Sequence, residues 1–288
     1  MALRAGTLFI VATPIGNLED VTARALRVLR EVQLIAAEDT RRTAHLLAHY
    51  AIATPTTSLH EHNEHAKSTA LVERLLRGDH IAVVSDAGTP TVSDPGRRLI
   101  EAAIAAGIRI EPIPGPSAIL AALAVSGFEA DSFTFMGFPP ARGKARKSWF
   151  DRLVASGNVA VFFEAPHRLT LTLNEIGAIA PSARLLVARE LTKSHEELVR
   201  GPISDVVAGL REPRGEYTVV VKFCDSPKIP ESLAPKLPDD AAVATEFASM
   251  TNNGGLPRAE ALRALSKKYG IPRRSVYSAI LRHQKSGV

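Results

Sequence analysis

Eight short apolar runs fall within the first 223 of the chain's 288 residues: 8–12, 34–37, 81–85, 108–113, 133–136, 159–163, 185–188 and 217–223. Most run without polar alternation and read as strands buried on both faces. The segments between them carry helical spacing, as at Val21, Ala25, Val28, Leu29 and Val32. Strands alternating with helices predict an α/β protein of mostly parallel sheets covered on both sides. The alternation runs twice, which predicts two α/β domains, residues 1–115 and 116–224, with a hinge near 114–126. Residues 225–238 hold four prolines, a linker with an extended bias. Three short helical patterns follow in residues 239–288. The last two flank Gly270-Ile271-Pro272 and resemble a helix-turn-helix, with Ser266, Gly270 and Val276 as small, turn and packing positions.

The formal net charge of +5 hides an uneven distribution. From Thr251 onward eight basic residues face one acid, Glu260, a local excess of +7, while the preceding 250 residues carry −2. That tail, Arg273 and Arg274 in particular, suits a phosphate backbone, or else a solvated helix pair docked on the body. A second basic stretch, Arg142, Lys144, Arg146 and Lys147, follows Gly137-Phe138-Pro139-Pro140 and reads as an RNA-facing flap or an ordinary mobile loop. Aromatic residues are only 5% of the chain, against an aromatic-platform RNA binder. The single cysteine, Cys224, excludes a disulfide framework and a Cys-rich zinc site and is compatible with a reducing cytosol. The N-terminal apolar run is too short for a signal peptide, and nothing approaches the ~20 apolar residues of a membrane span. A cytoplasmic protein is expected.

The loops after the strands carry the candidate chemistry, because ligands of open α/β sheets bind beyond the carboxyl ends. Ser85-Asp86-Ala87-Gly88-Thr89-Pro90 offers a carboxylate and a glycine, or simply a tight turn. Pro114-Gly115-Pro116-Ser117 opens a helix whose free N–H groups suit a carboxylate, although Ser117 reads equally as an N-cap. Glu164-Ala165-Pro166-His167-Arg168 and Arg189-Glu190-Leu191-Thr192-Lys193 place acids, an imidazole and cations at two successive strand ends, where His167 suits a base and Arg168 a phosphate. The alternative for each is a helix-starting turn with solvated charges. His60-Glu61-His62-Asn63-Glu64-His65 lacks the spacing of a zinc helix, so no metal is expected. No G-x-G-x-x-G follows the first strand and no Walker motif is present.

Five motifs stand in order: Thr13-Pro14-Ile15-Gly16-Asn17-Leu18, Ser85-Asp86-Ala87-Gly88-Thr89-Pro90, Pro114-Gly115-Pro116-Ser117-Ala118, Phe163-Glu164-Ala165-Pro166-His167-Arg168 and Ala188-Arg189-Glu190-Leu191-Thr192-Lys193. Over residues 6–223 this series resembles the tetrapyrrole-methylase-like class of S-adenosylmethionine enzymes. Within it, Pro14 to Leu18 with Asp20 resembles the ribosomal RNA small subunit methyltransferase I family. The resemblance implies two α/β domains with S-adenosylmethionine held between them, a homodimer, and 2′-O-methylation of a cytidine ribose in the decoding region of 16S rRNA in the 30S subunit. It implies cofactor contacts at Pro14, Asp86, Gly88, Thr89, Ser117, Ala118, Phe163, Ala188 and Thr218. His167, Glu190 and Lys193 are the catalytic candidates, and Arg142, Lys144, Arg146, Lys147, Arg168, Arg273 and Arg274 the RNA contacts. A tetrapyrrole methylase and a non-catalytic nucleic-acid-binding regulator are the competing readings.

Overall fold

The first sheet is built from strands β1 (Thr7–Val11), β2 (Leu34–Ala37), β3 (Thr56–Ser58), β4 (Ile81–Val84) and β5 (Arg109–Ile113), in the order β3-β2-β4-β1-β5. Every neighbouring pair is parallel. In this computed structural model the described residues are 5–92, 94–210, 214–224, 240–253, 255–269 and 273–286.

Helices α1 (Ala23–Glu31), α2 (Thr40–His49), α3 (Glu64–Leu76) and α4 (Arg97–Ala105) cover this sheet on both faces. The two-residue period of a strand sorts the apolar residues. Ile35, Ala37, Ala82 and Val84 face Val28, Leu29, Leu46 and Leu47 of α1 and α2. Leu34, Ala36, Ile81 and Val83 face Leu71, Leu75, Leu99 and Ala103 of α3 and α4. This two-sided burial explains why β2 and β4 read as unbroken apolar runs, while the edge strand β5 alternates and is only partly buried. Local caps fix the helix starts: the Thr22 side chain accepts from Ala25 N–H and the Asp39 side chain from Arg41 N–H. Glu64, a polar residue buried on α3, accepts from the N–H groups of Gly96 (3.0 Å) and Arg98 (2.7 Å) and so caps α4 from a neighbouring helix.

The connection to the second sheet runs through α5 (Ala118–Ser126), capped by Ser117 and ended by Gly127 at φ 73°. The second sheet comprises β6 (Phe133–Phe135), β7 (Val159–Glu164), β8 (Arg184–Arg189), β9 (Glu197–Pro202) and β10 (Tyr217–Lys222), in the order β6-β7-β10-β8-β9. One face packs on α6 (Gly143–Ala155), α7 (Pro166–Ile179) and α8 (Ile203–Gly209) through Trp149, Leu153, Leu169, Leu173, Ile176 and Ile203. The sole tryptophan, Trp149, is 1% exposed, and its indole N–H donates to Met136 O at 2.9 Å. The other face packs on α5 through Ile119 and Ala122.

The expectation of mostly parallel sheets holds for the first sheet and fails for the second. Only β6–β7 is parallel; β10 runs antiparallel to both β7 and β8, and β9 antiparallel to β8. Burial on both faces makes a strand apolar throughout whichever way its neighbours run. The short β3 and the polar edge strand β9 lacked an apolar run and were not anticipated. The stretch expected as a flap is mostly helix: α6 begins at Gly143.

The chain forms two compact units, residues 1–227 and 228–288. In the second, α9 (Asp240–Ala248), α10 (Arg258–Tyr269) and α11 (Arg273–Ser286) enclose Val243, Phe247, Ala261, Leu265, Val276, Ala279 and Ile280. Val276 takes the packing position expected of it; Gly270 and the proline-rich stretch 225–238 lie outside the described residues. Lys268 is ion-paired with Glu246, and Arg282 with Asp240 at 2.7 Å. Two of the tail's cations are therefore spent on holding α9. Arg263, Lys267 and Arg273 are exposed, while the Arg274 side chain lies outside the described residues.

Candidate active site

The carboxyl ends of β1 and β4 are neighbours, and their loops are stitched together. Thr13 N–H donates to Gly88 O (2.9 Å) and Gly88 N–H to Thr13 O (3.0 Å). Gly88 sits at φ +77°, where a side chain is strained. Gly115 lies so close to β1 that a Cβ there would stand 2.9 Å from the Ala12 Cβ. Thr89 Oγ1 reaches Pro116 O at 3.4 Å. Ser117 Oγ accepts Leu120 N–H at 3.5 Å, a long N-cap bond. Pro14, Gly88, Thr89, Ser117 and Ala118 therefore belong to one loop cluster. Asp86 borders it but turns toward β2: its Oδ1 accepts Asp39 N–H (3.0 Å), and Glu38 Oε2 accepts Asp86 N–H (3.2 Å).

Two carboxyls in this region, Glu38 and Asp94, have raised proton affinity. Burial, then Glu38 and Asp86 nearby, push the Asp94 carboxyl up to about 6, against a hydrogen bond from Ser85. Burial likewise raises Glu38. Because the folded-state pKa of Asp94 exceeds its usual 3.8, its contribution is intact below that value. It is lost as pH climbs through 4 to 6. Asp94→Asn is therefore expected to raise the melting temperature by about 2–4 °C at pH 7.5 and to leave it unchanged near pH 3. That shift corresponds to ~1 kcal/mol after allowance for the group's half-exposure. Calorimetry at the two pH values checks it; an equal shift at both would mean that charge is not involved.

In the second sheet the register brings three expected residues into one row. Phe163 on β7 pairs with Thr218 on β10, and Thr218 with Ala188 on β8. Phe163 and Ala188 belong to the cluster packed on α5. The next row outward, Glu164, Tyr217 and Arg189, puts the loops after β7 and β8 on one rim.

The two loop systems meet. Ile15 packs against the cluster holding Ala118, Phe163 and Ala188. Asn17 N–H donates to Thr192 Oγ1 at 3.0 Å. A Cβ on Gly16 would fall 2.5 Å from Lys193 Cγ and 2.7 Å from Leu191 O. At this junction Lys193 Nζ donates to Glu190 Oε1 (3.1 Å) and Glu216 Oε2 (2.7 Å), and Glu190 Oε1 also accepts Glu216 N–H (2.8 Å). Glu190 holds a left-handed φ of 50°, a strained setting for a non-glycine residue. Although partial burial opposes both charges, the Glu216 N–H and Lys193 lower the Glu190 pKa, and Glu216 with Glu190 raises that of Lys193. Both groups stay charged at neutral pH.

The remaining expected residues separate. His167 is exposed on the first turn of α7. Arg146 is not an RNA contact: only 7% exposed, it donates to Pro140 O (2.9 Å) and Thr172 Oγ1 (2.9 Å) and pairs with Glu175. Arg168 is likewise turned inward, to Pro139 O (3.1 Å) and to the fully buried Glu164 carboxylate (2.7 Å). Arg168 meets the need of the buried Glu164 carboxylate for a cationic partner, and Arg146 joins the same network through Thr172, which donates to Glu164. Arg142, Lys144 and Lys147 remain exposed. Glu38, Asp94 and Glu216 were not anticipated as parts of the site. Glu38 and Glu216 border strand ends, the only signal available for them, and Asp94 lies in the loop before α4. The His60 segment is a turn into α3, where His60 N–H donates to Asn63 Oδ1 (2.9 Å).

Residues 7–207 match the family Tetrapyrrole (Corrin/Porphyrin) Methylases, and the chain belongs to it. Its fold is shared with several solved structures. A diphthine synthase matches with TM-score 0.61 at 13% identity, covering 75% of this chain and 90% of that one. A uroporphyrin-III C-methyltransferase from Thermus thermophilus complexed with S-adenosyl homocysteine matches with TM-score 0.55 at 16% identity, covering 75% and 97%. Within that class the chain belongs to the ribosomal RNA small subunit methyltransferase I family. The Synechocystis sp. protein of that name is 41% identical over 98% of this chain and 100% of its own length. The Thermotoga maritima one is 47% identical over 75% of this chain and 98% of its own length. Among the described residues no helix is long and apolar enough to cross a membrane.

Proposed function

We propose that the chain transfers a methyl group from S-adenosylmethionine to the ribose 2′-hydroxyl of a cytidine in the decoding region of 16S rRNA, acting as a cytoplasmic homodimer on the 30S subunit. The observation that carries the reading is the junction itself, where Ile15, Gly16 and Ala118 meet Phe163, Ala188, Leu191 and Lys193. S-adenosylmethionine suits it chemically. Small residues, Ala188 and Thr218, line the row beside Phe163. Gly88 and Gly115 bring bare backbone close. The carboxylates of Glu38, Asp86 and Asp94 favour a cationic ligand. Pro14, Asp86, Gly88, Thr89, Ser117, Ala118, Phe163, Ala188 and Thr218 would hold it.

When bound, the cofactor supplies an electrophilic methyl carbon on a sulfonium. The protein's task is alignment, which is worth ~7–11 kcal/mol of barrier, and electrostatic support of the attacking oxygen. Lys193 supplies the cation, fixed between Glu190 and Glu216. Glu190 is a poor base because Lys193 and an amide hold it ionised, so its part is to position Lys193. His167 is assigned as acceptor of the hydroxyl proton, its exposure on the shared rim supporting that role. Arg142, Lys144, Lys147 and the tail residues Arg273 and Arg274 are assigned to phosphates.

The test is incubation with labelled S-adenosylmethionine and 30S subunits, naked 16S rRNA or a tetrapyrrole, followed by nucleoside analysis. Label recovered as 2′-O-methylcytidine from 30S RNA is expected. Label on the tetrapyrrole, or binding without transfer, would select a competing reading. In the same system, Ala at Arg142, Lys144 and Lys147 together is expected to weaken RNA binding and to flatten the log K against log salt slope by about 2 to 3. Cofactor affinity should stay unchanged. An unaltered slope would remove these residues from the interface.

A further inference from the structure

Phe138 is an apolar ring held out into solvent by a rigid support. It is 54% exposed, and its ring leans on Phe163 (centroids 5.4 Å apart, 54° between planes), which in turn meets Phe135 at 5.1 Å. The backbone around it is pinned at three carbonyls. Gly137 O accepts Phe163 N–H (2.9 Å), Pro139 O accepts Arg168 Nη1 (3.1 Å), and Pro140 O accepts Arg146 Nη1 (2.9 Å). The two arginines are themselves tied together, because Glu164 receives Arg168 on one oxygen and Thr172 Oγ1 on the other, and Thr172 receives Arg146. Two consecutive prolines restrict the same loop further. A buried network of this kind ordinarily serves to bury what it positions; here it leaves a phenyl ring uncovered.

We propose that Phe138 is the stacking platform for an unpaired nucleobase of the RNA substrate. This rests on the rRNA methyltransferase reading above and names a contact that reading lacks. The local charge identifies the occupant. Arg142, Lys144 and Lys147 are exposed just beyond the ring, and the Cα of Arg142, four residues on, lies within ~14 Å of that of Phe138. An aromatic face beside a run of cations is the arrangement that binds single-stranded nucleic acid, with bases on the ring and phosphates on the cations. The same cations disfavour a positively charged sulfonium. They also disfavour docking of this patch on the same patch of a second copy, which would bring like charges together. A base within an A-form duplex hides its face, so the nucleotide bound here is looped out or extruded.

The test compares Phe138→Ala, Phe138→Leu and Phe138→Trp with the unmodified protein. Single-turnover methyl transfer to subsaturating 30S subunits is measured beside S-adenosyl homocysteine affinity and sedimentation. Stacking worth ~1–3 kcal/mol predicts a ~5- to 150-fold loss for both Ala and Leu. Trp is expected to stay within ~3-fold, and cofactor affinity and oligomeric state to stay constant. The proposal is overturned if Leu matches Phe, if cofactor affinity falls in step with transfer, or if Phe138→Ala alters the oligomeric state. Should the unmodified protein methylate no small-subunit RNA, the functional reading fails separately, and Phe138→Trp emission decides the contact. Quenching by a cytidine-bearing single-stranded RNA but not by its abasic counterpart supports the platform; equal or no quenching rejects it.

Discussion

Gly16→Val is expected to lower methyl transfer to 30S subunits by ~10²-fold or more while leaving the secondary structure intact. The argument is steric. A Cβ at residue 16 would stand 2.5 Å from Lys193 Cγ, 2.7 Å from Leu191 O and 2.8 Å from Thr192 Oγ1. Lys193 can swing aside, but Leu191 O is backbone in the turn after β8, held between the left-handed residues Glu190 and Thr192, and is far less free to move. The loop holding Pro14 and Gly16 must lift instead, which breaks the Asn17–Thr192 hydrogen bond and separates the two halves of the site. A misplacement of ~1 Å at a reacting centre costs ~10²-fold, whereas the overpacking itself costs only ~1–3 kcal/mol of stability. Single-turnover transfer measured with circular dichroism separates the two effects. Turnover close to that of the unmodified protein would show that the loop does not depend on this contact.

Lys193→Met is the second large effect, an expected loss of ~10²–10³-fold in transfer, the usual consequence of deleting one preorganised electrostatic group. Met keeps the apolar stem that packs beside Gly16 and removes only the ammonium. Glu190 and Glu216 then face each other without a cation. Glu190, now held down mainly by the Glu216 N–H, moves its pKa back up. S-adenosyl homocysteine affinity should change little. Loss of cofactor binding in proportion to transfer would instead make Lys193 a cofactor contact.

The central strands were legible in the sequence because two-sided burial writes an unbroken apolar run, as in β2, β4, β7 and β8. Strand direction was not, because the same burial erases any difference between parallel and antiparallel neighbours; β10 is the instance. Edge strands such as β9, with Arg200 and Gly201 in it, carry no such run and are set by pairing with β8. In the candidate site, Gly88 could be named because its loop follows an apolar run, whereas Phe163 and Ala188 could be named only through the motif resemblance. Arg146 could not be told from its neighbours, since its burial depends on Thr172 and Glu175, nearly thirty residues away. Gly16 read as part of a turn; the close approach of Leu191 and Lys193 that makes it indispensable is a long-range fact. Asp86 was expected to face a ligand, and its neighbour Asp39, supplied by β2, takes one of its oxygens.

The burial of Trp149 gives this chain a built-in set of optical labels. Its one tryptophan sits in the core of the second sheet, Tyr50 packs against the core of the first, and Tyr269 and Tyr277 belong to the tail helices. Tryptophan emission thus follows the melting of the second sheet alone. The fourth tyrosine, Tyr217, shares the second-sheet core with Trp149, so tyrosine signals follow the remainder once Tyr217→Phe is made, and the order in which the parts lose structure can be read without attaching a dye.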